Sequence, residues 1–211
     1  MKDTCFLCDF DGTITEKDGL NLFFSRHAEK GWLQIEKLWE NNKISSKECL
    51  QKEFELVPNL SAELISAHIK TILPDSYFKK FYEYARLNGA DVYIVSGGAD
   101  YFINKTLELY NIKGINVISN HFELNENGFS LSFPNDNSEC SLGAGTCKCS
   151  VLKKMKKKYK KVVYAGDGIS DFCVCSKADL LFAKGQLAEY CLANGIPHVK
   201  FESFKDIISY F

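Results

Sequence analysis

Short apolar runs alternate with amphipathic stretches along most of the chain. The runs typical of buried strands lie at residues 4–10, 91–96, 115–119, 161–167, 179–183 and 198–201. Between most of them, apolar residues recur at the three- and four-residue spacing of helices, at residues 100–110, 150–159, 170–178, 187–195 and 203–211. Strands that alternate with helices form a parallel sheet covered on both faces, so the pattern predicts an α/β fold.

Residues 16–74 interrupt this alternation because they contain no clear strand-like run. Four amphipathic helical patterns cover residues 19–31, 32–42, 45–57 and 61–73. Ser45 stands three residues before Glu48, which is the spacing of a helix capping box, and Ser61 is placed to cap the last of these helices. We therefore expect an α/β core of residues 1–15 and 75–211 and a helical cap domain of residues 16–74.

A second irregular stretch covers residues 120–133. Apolar and polar residues alternate on both sides of "NENG", as they do in a half-buried β-hairpin. The pair Asn127-Gly128 is typical of a tight hairpin turn, so we predict the turn there.

Composition narrows the class of protein. The chain carries 26 Lys and Arg against 27 Asp and Glu, so its net charge of −1 favours neither nucleic acid nor a membrane as partner. The lysine-rich run at residues 153–161 falls on the outer face of a helical pattern and is expected to be solvated. Nine cysteines, an odd number, without a secretory segment favour reduced thiols and a cytoplasmic protein.

Polar groups that can carry chemistry follow three of the predicted strands. They are Asp9 and Asp11, then Ser96 with Gly97, and then Asp167 with Asp171. Open α/β sheets bind ligands at the carboxyl ends of their strands, so these groups are expected to converge at one edge. Carboxylates from separate strands suit a hard cation such as Mg²⁺, which binds through carboxylates, water and substrate phosphate.

The stretch "VSGGAD" adds a phosphate site to this edge. A strand end, a hydroxyl, two glycines and a helix start place backbone N–H groups where a phosphate dianion would bind, with Ser96 and Gly97 beside it. Lys148, which opens a predicted helix, would add a positive charge against the same oxygens. The residues therefore point to phosphoryl chemistry.

Taken in order, "DFDGTIT", "IVSGG", a lysine before a helix and "GDGISD" resemble the four motifs of the haloacid dehalogenase superfamily of phosphohydrolases. The resemblance spans the chain and implies a Rossmannoid parallel sheet with helices on both faces. A small helical cap inserted after the first strand is similar to that of the phosphoserine phosphatase-like branch.

The resemblance also implies a role for each motif residue. Asp9 would be the nucleophile that forms an aspartyl-phosphate, and Asp11 would be the general acid and base. Mg²⁺ would be held by the side chains of Asp9 and Asp167 and the backbone carbonyl of Asp11, with Asp171 either as an additional ligand or as a residue behind the ligands that does not touch the metal. The phosphate-binding set implied by the resemblance is Ser96, Gly97, Lys148 and Thr13.

The stretches "CDFDGTITEKDGLN", "VSGGADYFI" and "SNHFELNENGFSLSFPN" resemble the methionine-salvage phosphatases acting on 2-hydroxy-3-keto-5-methylthiopentenyl-1-phosphate. A loop with three cysteines, fewer than that group carries, leaves phosphoserine and phosphocholine or phosphoethanolamine as alternative substrates. The substrate-specificity candidates are Asp18, Asn21, Arg26, His27 and His121.

The expected partner is a small-molecule phosphate ester, and the expected assembly is a monomer or homodimer. Two other functions are open to a chain with these motifs. One is transfer of the phosphoryl group to an alcohol instead of water. The other, from a different class, is a non-catalytic phosphate-binding regulatory module.

Overall fold

The computed structural model describes residues 2–126, 128–140 and 142–211. Within these ranges the chain forms seven strands: β1 (Lys2–Cys8), β2 (Asp91–Ala99), β3 (Asn116–Asn125), β4 (Gly128–Ser132), β5 (Tyr159–Gly166), β6 (Leu180–Ala183) and β7 (Val199–Lys200). The α-helices of the same ranges are α1 (Gly19–His27), α2 (Trp32–Glu40), α3 (Ser46–Glu55), α4 (Ala62–Ile69), α5 (Phe78–Leu87), α6 (Asp100–Leu109), α7 (Lys148–Lys156), α8 (Gly185–Ala193) and α9 (Phe204–Tyr210).

The seven strands form one sheet in the order β4-β3-β2-β1-β5-β6-β7. All neighbouring pairs are parallel except β3 and β4, which are antiparallel. The strands β2, β1 and β5 are adjacent at the centre, so their carboxyl ends meet at one edge. The predicted α/β class with a parallel sheet is confirmed.

The central strand β1 shows how the sequence builds two core layers. Cys5 and Leu7 pack with residues of α7 and α8 on one face of the sheet. Phe6 and Cys8 point to the other face and pack with residues of α5, α6 and α9. Because both faces of this strand are buried from Cys5 to Cys8, these four residues are all apolar.

Helices α1 to α4 occupy the region predicted to be a helical cap. The two chain segments that connect them to the sheet pair with each other, since Glu16 N donates to Leu73 O at 2.9 Å and Asp75 N donates to Ile14 O at 2.7 Å. Ser45 accepts from the Glu48 amide and Ser61 from the Leu64 amide, as the capping pattern predicted. The division into a core and a cap domain at residues 16–74 stays a prediction.

Three features of the fold differ from the sequence-based expectations. Helix α5 was not predicted, although its buried residues recur at helical spacing. The stretch 170–178 is not an α-helix, because it is a 3₁₀ turn at Ile169–Asp171 followed by further turns. Strand β3 runs without a break through residues 115–119 and the first half of the expected hairpin.

The hairpin itself is present, with Asn125 paired to Gly128. Its predicted turn residue Asn127 lies outside the described residues. Across the part of the chain that is described, none of the helices combines the length and the apolar character that crossing a bilayer requires.

Candidate active site

The loop after β1 brings Asp9 and Asp11 to the centre of the sheet edge. The Asp9 amide donates to Ala165 O at 2.9 Å, which ties the loop to the end of β5. The Asp9 Oδ1 accepts from the Phe10 amide at 2.8 Å, so backbone geometry fixes the carboxylate. Asp9 is 5% exposed and is therefore held almost out of solvent.

Asp11 points toward the helical region instead of into the carboxylate cluster. Its Oδ1 accepts from the Gly19 amide, at the start of α1, at 2.9 Å. A Cβ at Gly98 would lie 2.9 Å from Asp11 Oδ2, so the glycine turn and the carboxylate are in close contact. Burial raises the pKa of Asp11 well above its usual range, and the carboxylates of Asp18 and Asp9 add to that effect.

A buried lysine lies among the acidic groups. Lys148 is 3% exposed, and its Nζ lies 2.8 Å from Asp9 Oδ2 and 2.6 Å from Asp171 Oδ1. It also donates to Ser170 Oγ at 2.8 Å. Burial disfavours the ammonium, but the carboxylates of Asp171 and Asp9 outweigh it and raise the pKa of Lys148. The lysine is therefore a permanent cation at this edge.

Asp171 orients its neighbours. Its Oδ1 accepts from Lys148 and, at 2.5 Å, from the Tyr164 hydroxyl, while its Oδ2 accepts from the backbone amides of Asp167 at 3.0 Å and Gly168 at 3.3 Å. These bonds also explain the 3₁₀ turn at this point, because they fix the side chain of Asp171 to the loop before it.

The separation of the carboxylate oxygens shows whether they could bind a divalent cation together. Asp9, Asp167 and Asp171 each offer an oxygen, and the three atoms lie within 4.8 Å of one another. Hard oxygen donors at this separation fit Mg²⁺. Both oxygens of Asp171 accept hydrogen bonds from the protein, and those of Asp9 face the Phe10 amide and Lys148, so hydrogen bonding alone does not rank the three carboxylates as ligands.

Thr13 was expected to bind phosphate, and the structure places it elsewhere. Its hydroxyl donates to Asp167 Oδ1 at 2.5 Å, and the residue is fully buried. In the neighbouring Gly12, φ is +74° and an added Cβ would lie 2.3 Å from Asp167 Oδ2. This loop thus orients the Asp167 carboxylate, and Thr13 is not part of the wall of the cavity described below.

The glycine turn at the end of β2 is held from two sides. Ser96 Oγ accepts from the Gly98 amide at 2.9 Å. Asn120 Nδ2 donates to Gly97 O at 2.6 Å, and the Thr146 hydroxyl donates to Asn120 Oδ1 at 3.0 Å. Asn120 therefore links the glycine turn to the segment that leads into Lys148.

A cavity of about 330 Å³ lies between the strand ends and helices α1 to α3. Its floor contains most of the predicted catalytic and phosphate-binding residues, namely Asp9, Asp11, Ser96, Gly97, Lys148 and Asp167. The helical side of its wall includes Asp18, Asn21, Phe24, Glu36, Trp39 and Glu53. This volume suits a small metabolite.

Only two of the five specificity candidates, Asp18 and Asn21, line this cavity. Arg26 is exposed and donates to the Thr71 hydroxyl, and His27 packs beside Phe23. His121 lies 2.7 Å from Asp100 Oδ2 on the outside of the sheet. The α1 register turns Arg26 and His27 away from the cavity, so these three candidates are not supported by the geometry.

Sequence reasoning missed several residues of the site. Tyr164 lies within an apolar strand pattern and Asn120 within a hairpin pattern, so neither residue stood out as part of a site. Glu53 had a usable signal, because it is a charged residue on the buried face of α3 between Cys49 and Phe54.

Comparison with known proteins assigns the chain to a family. The model of the haloacid dehalogenase-like hydrolases matches residues 6–175. The chain therefore belongs to the haloacid dehalogenase-like hydrolase family. The predicted enzyme class, a phosphomonoesterase of that family, is confirmed.

Two curated relatives match almost the whole chain. A 2-hydroxy-3-keto-5-methylthiopentenyl-1-phosphate phosphatase from Geobacillus kaustophilus is 32% identical over 209 residues, covering 98% of this chain and 94% of that protein. An enzyme of the same name from an Exiguobacterium species is 30% identical over 209 residues, covering 98% and 96%.

Solved structures show the same fold. A phosphoserine phosphohydrolase-like protein from Francisella tularensis superposes with a TM-score of 0.72 at 22% identity, with both chains fully covered. A phospho-aspartyl intermediate analogue of phosphoserine phosphatase superposes with a TM-score of 0.74, again at 22% identity and with both chains fully covered.

Proposed function

We propose that this phosphatase hydrolyses a small phosphate monoester through a covalent aspartyl-phosphate on Asp9. The observation that carries the proposal is the buried group formed by Asp9, Lys148 and Asp171, of which Asp9 and Lys148 line the floor of the cavity. A carboxylate that is fixed, shielded from solvent and adjacent to a permanent cation is suited to attack a phosphorus atom whose oxygens the cation neutralises.

In the first half of the reaction, an oxygen of Asp9 attacks phosphorus and the bond from phosphorus to the ester oxygen breaks. The leaving alkoxide takes a proton from the Asp11 carboxyl group. In the second half, Asp11 removes a proton from water, the water oxygen attacks phosphorus, and inorganic phosphate leaves as the Asp9 carboxylate is restored. The hydrogen bond from the Gly19 amide keeps Asp11 on the substrate side of the loop.

The phosphoryl oxygens would be bound by the Gly97 and Gly98 turn, Ser96 and Lys148. This turn lies directly before the N-terminus of α6, where a phosphate dianion is favoured, and Asn120 holds the turn in place. Asp9 and Asp167 would hold Mg²⁺, which supplies positive charge against the phosphoryl oxygens when it is bound. Thr13 and Asp171 orient the side chains of this arrangement without touching substrate.

The names of the two curated relatives make 2-hydroxy-3-keto-5-methylthiopentenyl-1-phosphate the first ester to test. Apolar parts of the wall, from Leu20, Phe24 and Leu50, give a methylthio tail a surface to pack on. The same cavity also contains the acidic side chains of Asp18, Glu36, Glu40 and Glu53.

The proposal is tested by phosphate release from a panel of small phosphate esters, with and without Mg²⁺. Asp9→Asn must abolish turnover, and Asp3→Asn, the same change at an exposed site, must leave it intact. With 4-nitrophenyl phosphate, whose leaving group needs no proton, Asp11→Asn impairs only the second half of the reaction, so a phosphorylated protein should accumulate and be visible by intact-protein mass spectrometry. Full turnover in Asp9→Asn would refute the proposed nucleophile.

A further inference from the structure

A histidine outside the cavity is hydrogen-bonded to the residue that holds the proposed general acid. Gly19, the first residue of α1, donates its amide to Asp11 Oδ1 at 2.9 Å, and the carbonyl oxygen of the same glycine lies 2.8 Å from Nε2 of His68. His68 lies on α4 and is not part of the cavity wall. The two contacts form one chain from His68 through Gly19 to Asp11.

The surroundings of the His68 ring determine which proton it carries. The residue is 3% exposed, and its Nδ1 has no hydrogen-bond partner among the described residues. A carbonyl oxygen is an acceptor, so Nε2 carries the proton and donates to Gly19 O. Burial lowers the pKa of His68 despite this hydrogen bond, so the ring stays neutral and Nδ1 carries no proton that would lack an acceptor. His68 is therefore a donor in a single tautomer.

Aromatic neighbours fix the position of this ring. It packs edge-on against Phe23 of α1, with ring centroids 5.1 Å apart, and its centroid lies 5.8 Å from that of His27 on the same helix. Phe23 is fully buried, so this contact belongs to the packed interior of the helical region. Because the ring is held by packing, the place of its Nε2 defines where Gly19 lies.

The contact between Gly19 and Asp11 leaves no spare room. A Cβ on Gly19 would lie 2.9 Å from Ile72 Cδ1 and 3.2 Å from Asp11 Oδ1. On the opposite side of the carboxyl group, a Cβ on Gly98 would lie 2.9 Å from Asp11 Oδ2. The Asp11 carboxyl group thus lies between the start of α1 and the glycine turn, so a shift of α1 would move the group or release it.

On the basis of the proposed phosphatase function, we propose that His68 is a positioning residue for the general acid Asp11. Its Nε2–H fixes Gly19, and the Gly19 amide fixes the Asp11 carboxyl group beside the leaving oxygen of the substrate. As an oxygen of Asp9 bonds to phosphorus, the electron pair of the breaking bond goes to the ester oxygen, which takes the proton of Asp11. His68 neither touches the substrate nor transfers a proton.

The dependence of kcat/KM on the leaving group separates the positioning of an acid from a loss of structure. 4-Nitrophenyl phosphate releases a phenoxide that needs no proton, whereas 2-hydroxyethyl phosphate releases an alkoxide that needs one. In His68→Leu, which removes the donor to Gly19, we expect kcat/KM to fall by about 10- to 100-fold for 2-hydroxyethyl phosphate and by less than about threefold for 4-nitrophenyl phosphate. A role in stability alone would lower both values by the same factor.

Three further variants show whether the hydrogen bond is responsible. His68→Gln places an amide N–H close to the position of Nε2 and should bring kcat/KM for 2-hydroxyethyl phosphate back to within about threefold of the unaltered protein. His68→Asn ends at the position of Nδ1, short of Gly19 O, and should behave as His68→Leu does, which keeps the test open if the leucine variant does not fold. Ser61→Ala removes the hydroxyl that accepts from the Leu64 amide at the start of the same helix, and should leave the ratio of the two kcat/KM values unchanged.

The Asp11→Asn variant tests the premise separately. It should show the same selective loss for 2-hydroxyethyl phosphate, and adding His68→Leu to it should cause no further selective loss, because both changes remove one function. If Asp11→Asn is selective and His68→Leu lowers both esters equally or neither, the positioning role is refuted and the phosphatase mechanism stands. If Asp11→Asn lowers both esters equally, the assignment of Asp11 as the acid is refuted, and the role of His68 with it.

Discussion

Replacing Asn120 by alanine tests whether one side chain outside the recognised motifs holds two parts of the site together. Asn120 is 2% exposed, and the change removes its 2.6 Å bond to Gly97 O and its 3.0 Å bond from the Thr146 hydroxyl. The hydroxyl of Thr146, which is 1% exposed, would be left without this acceptor. Each lost bond costs about 1–1.5 kcal/mol, so we expect the free energy of unfolding to fall by about 2–3 kcal/mol.

Urea unfolding measures the loss in the free energy of unfolding directly. A double-mutant cycle with Thr146→Val shows how much of that loss comes from the hydrogen bond between Thr146 and Asn120. Thr146→Val alone removes one of the two bonds and should cost about 1 kcal/mol, and the two changes together should cost less than their sum because they share that bond. We also expect Asn120→Ala to lower kcat/KM by about tenfold, since the Gly97 turn would no longer be fixed. A loss of stability below 1 kcal/mol, or strict additivity, would refute the proposed link.

Three further predictions concern buried and reactive groups. Tyr164→Phe removes a donor to the buried Asp171 carboxylate and should lower the free energy of unfolding by about 2 kcal/mol in urea, whereas an unchanged midpoint would contradict that contact. The Cys173 thiol and the Lys177 ammonium lower the pKa of Cys149 to about 6, so its alkylation by iodoacetamide, followed by peptide mass spectrometry, should slow about tenfold from pH 7 to pH 5. A flat profile over that range would disprove the lowered pKa. Removing divalent cations with EDTA should abolish turnover, and adding Mg²⁺ should raise the melting temperature by stabilising the folded state; no shift in either would count against the metal site.

Much of the fold could be predicted because its strands and helices follow from local patterns of apolar residues in the sequence. The apolar runs fixed six strands to within a few residues, except that β3 extends into the hairpin. The prediction of a helix at residues 170–178 was wrong. The apolar spacing of this stretch is also compatible with turns, and the hydrogen bonds of the Asp171 side chain to the preceding backbone stabilise the turn. The Asp171 side chain is itself held by Tyr164 of β5 and by Lys148, which is 23 residues away, so its position depends on the tertiary structure.

Some residues of the site could likewise be placed from local sequence patterns, and others could not. Asp9 and Asp167 follow β1 and β5, and Ser96 lies near the end of β2, which is adjacent to β1, so the predicted strand ends were sufficient to bring the three residues together. The positions of Arg26 and His27 depend instead on how α1 is rotated against its neighbours. A helical pattern in the sequence gives the buried face of a helix, and it does not say which neighbour covers that face.

The same distinction decides which properties of one enzyme can be inferred for another from sequence similarity. The groups proposed for phosphoryl transfer lie on loops at the strand ends, where the fold itself fixes their separation. The residues on the helical side of the cavity lie instead on α1, α2, α3 and the residue before α1, where they can change without moving the strand ends. Relatives at about 30% identity can therefore share the reaction and differ in the ester.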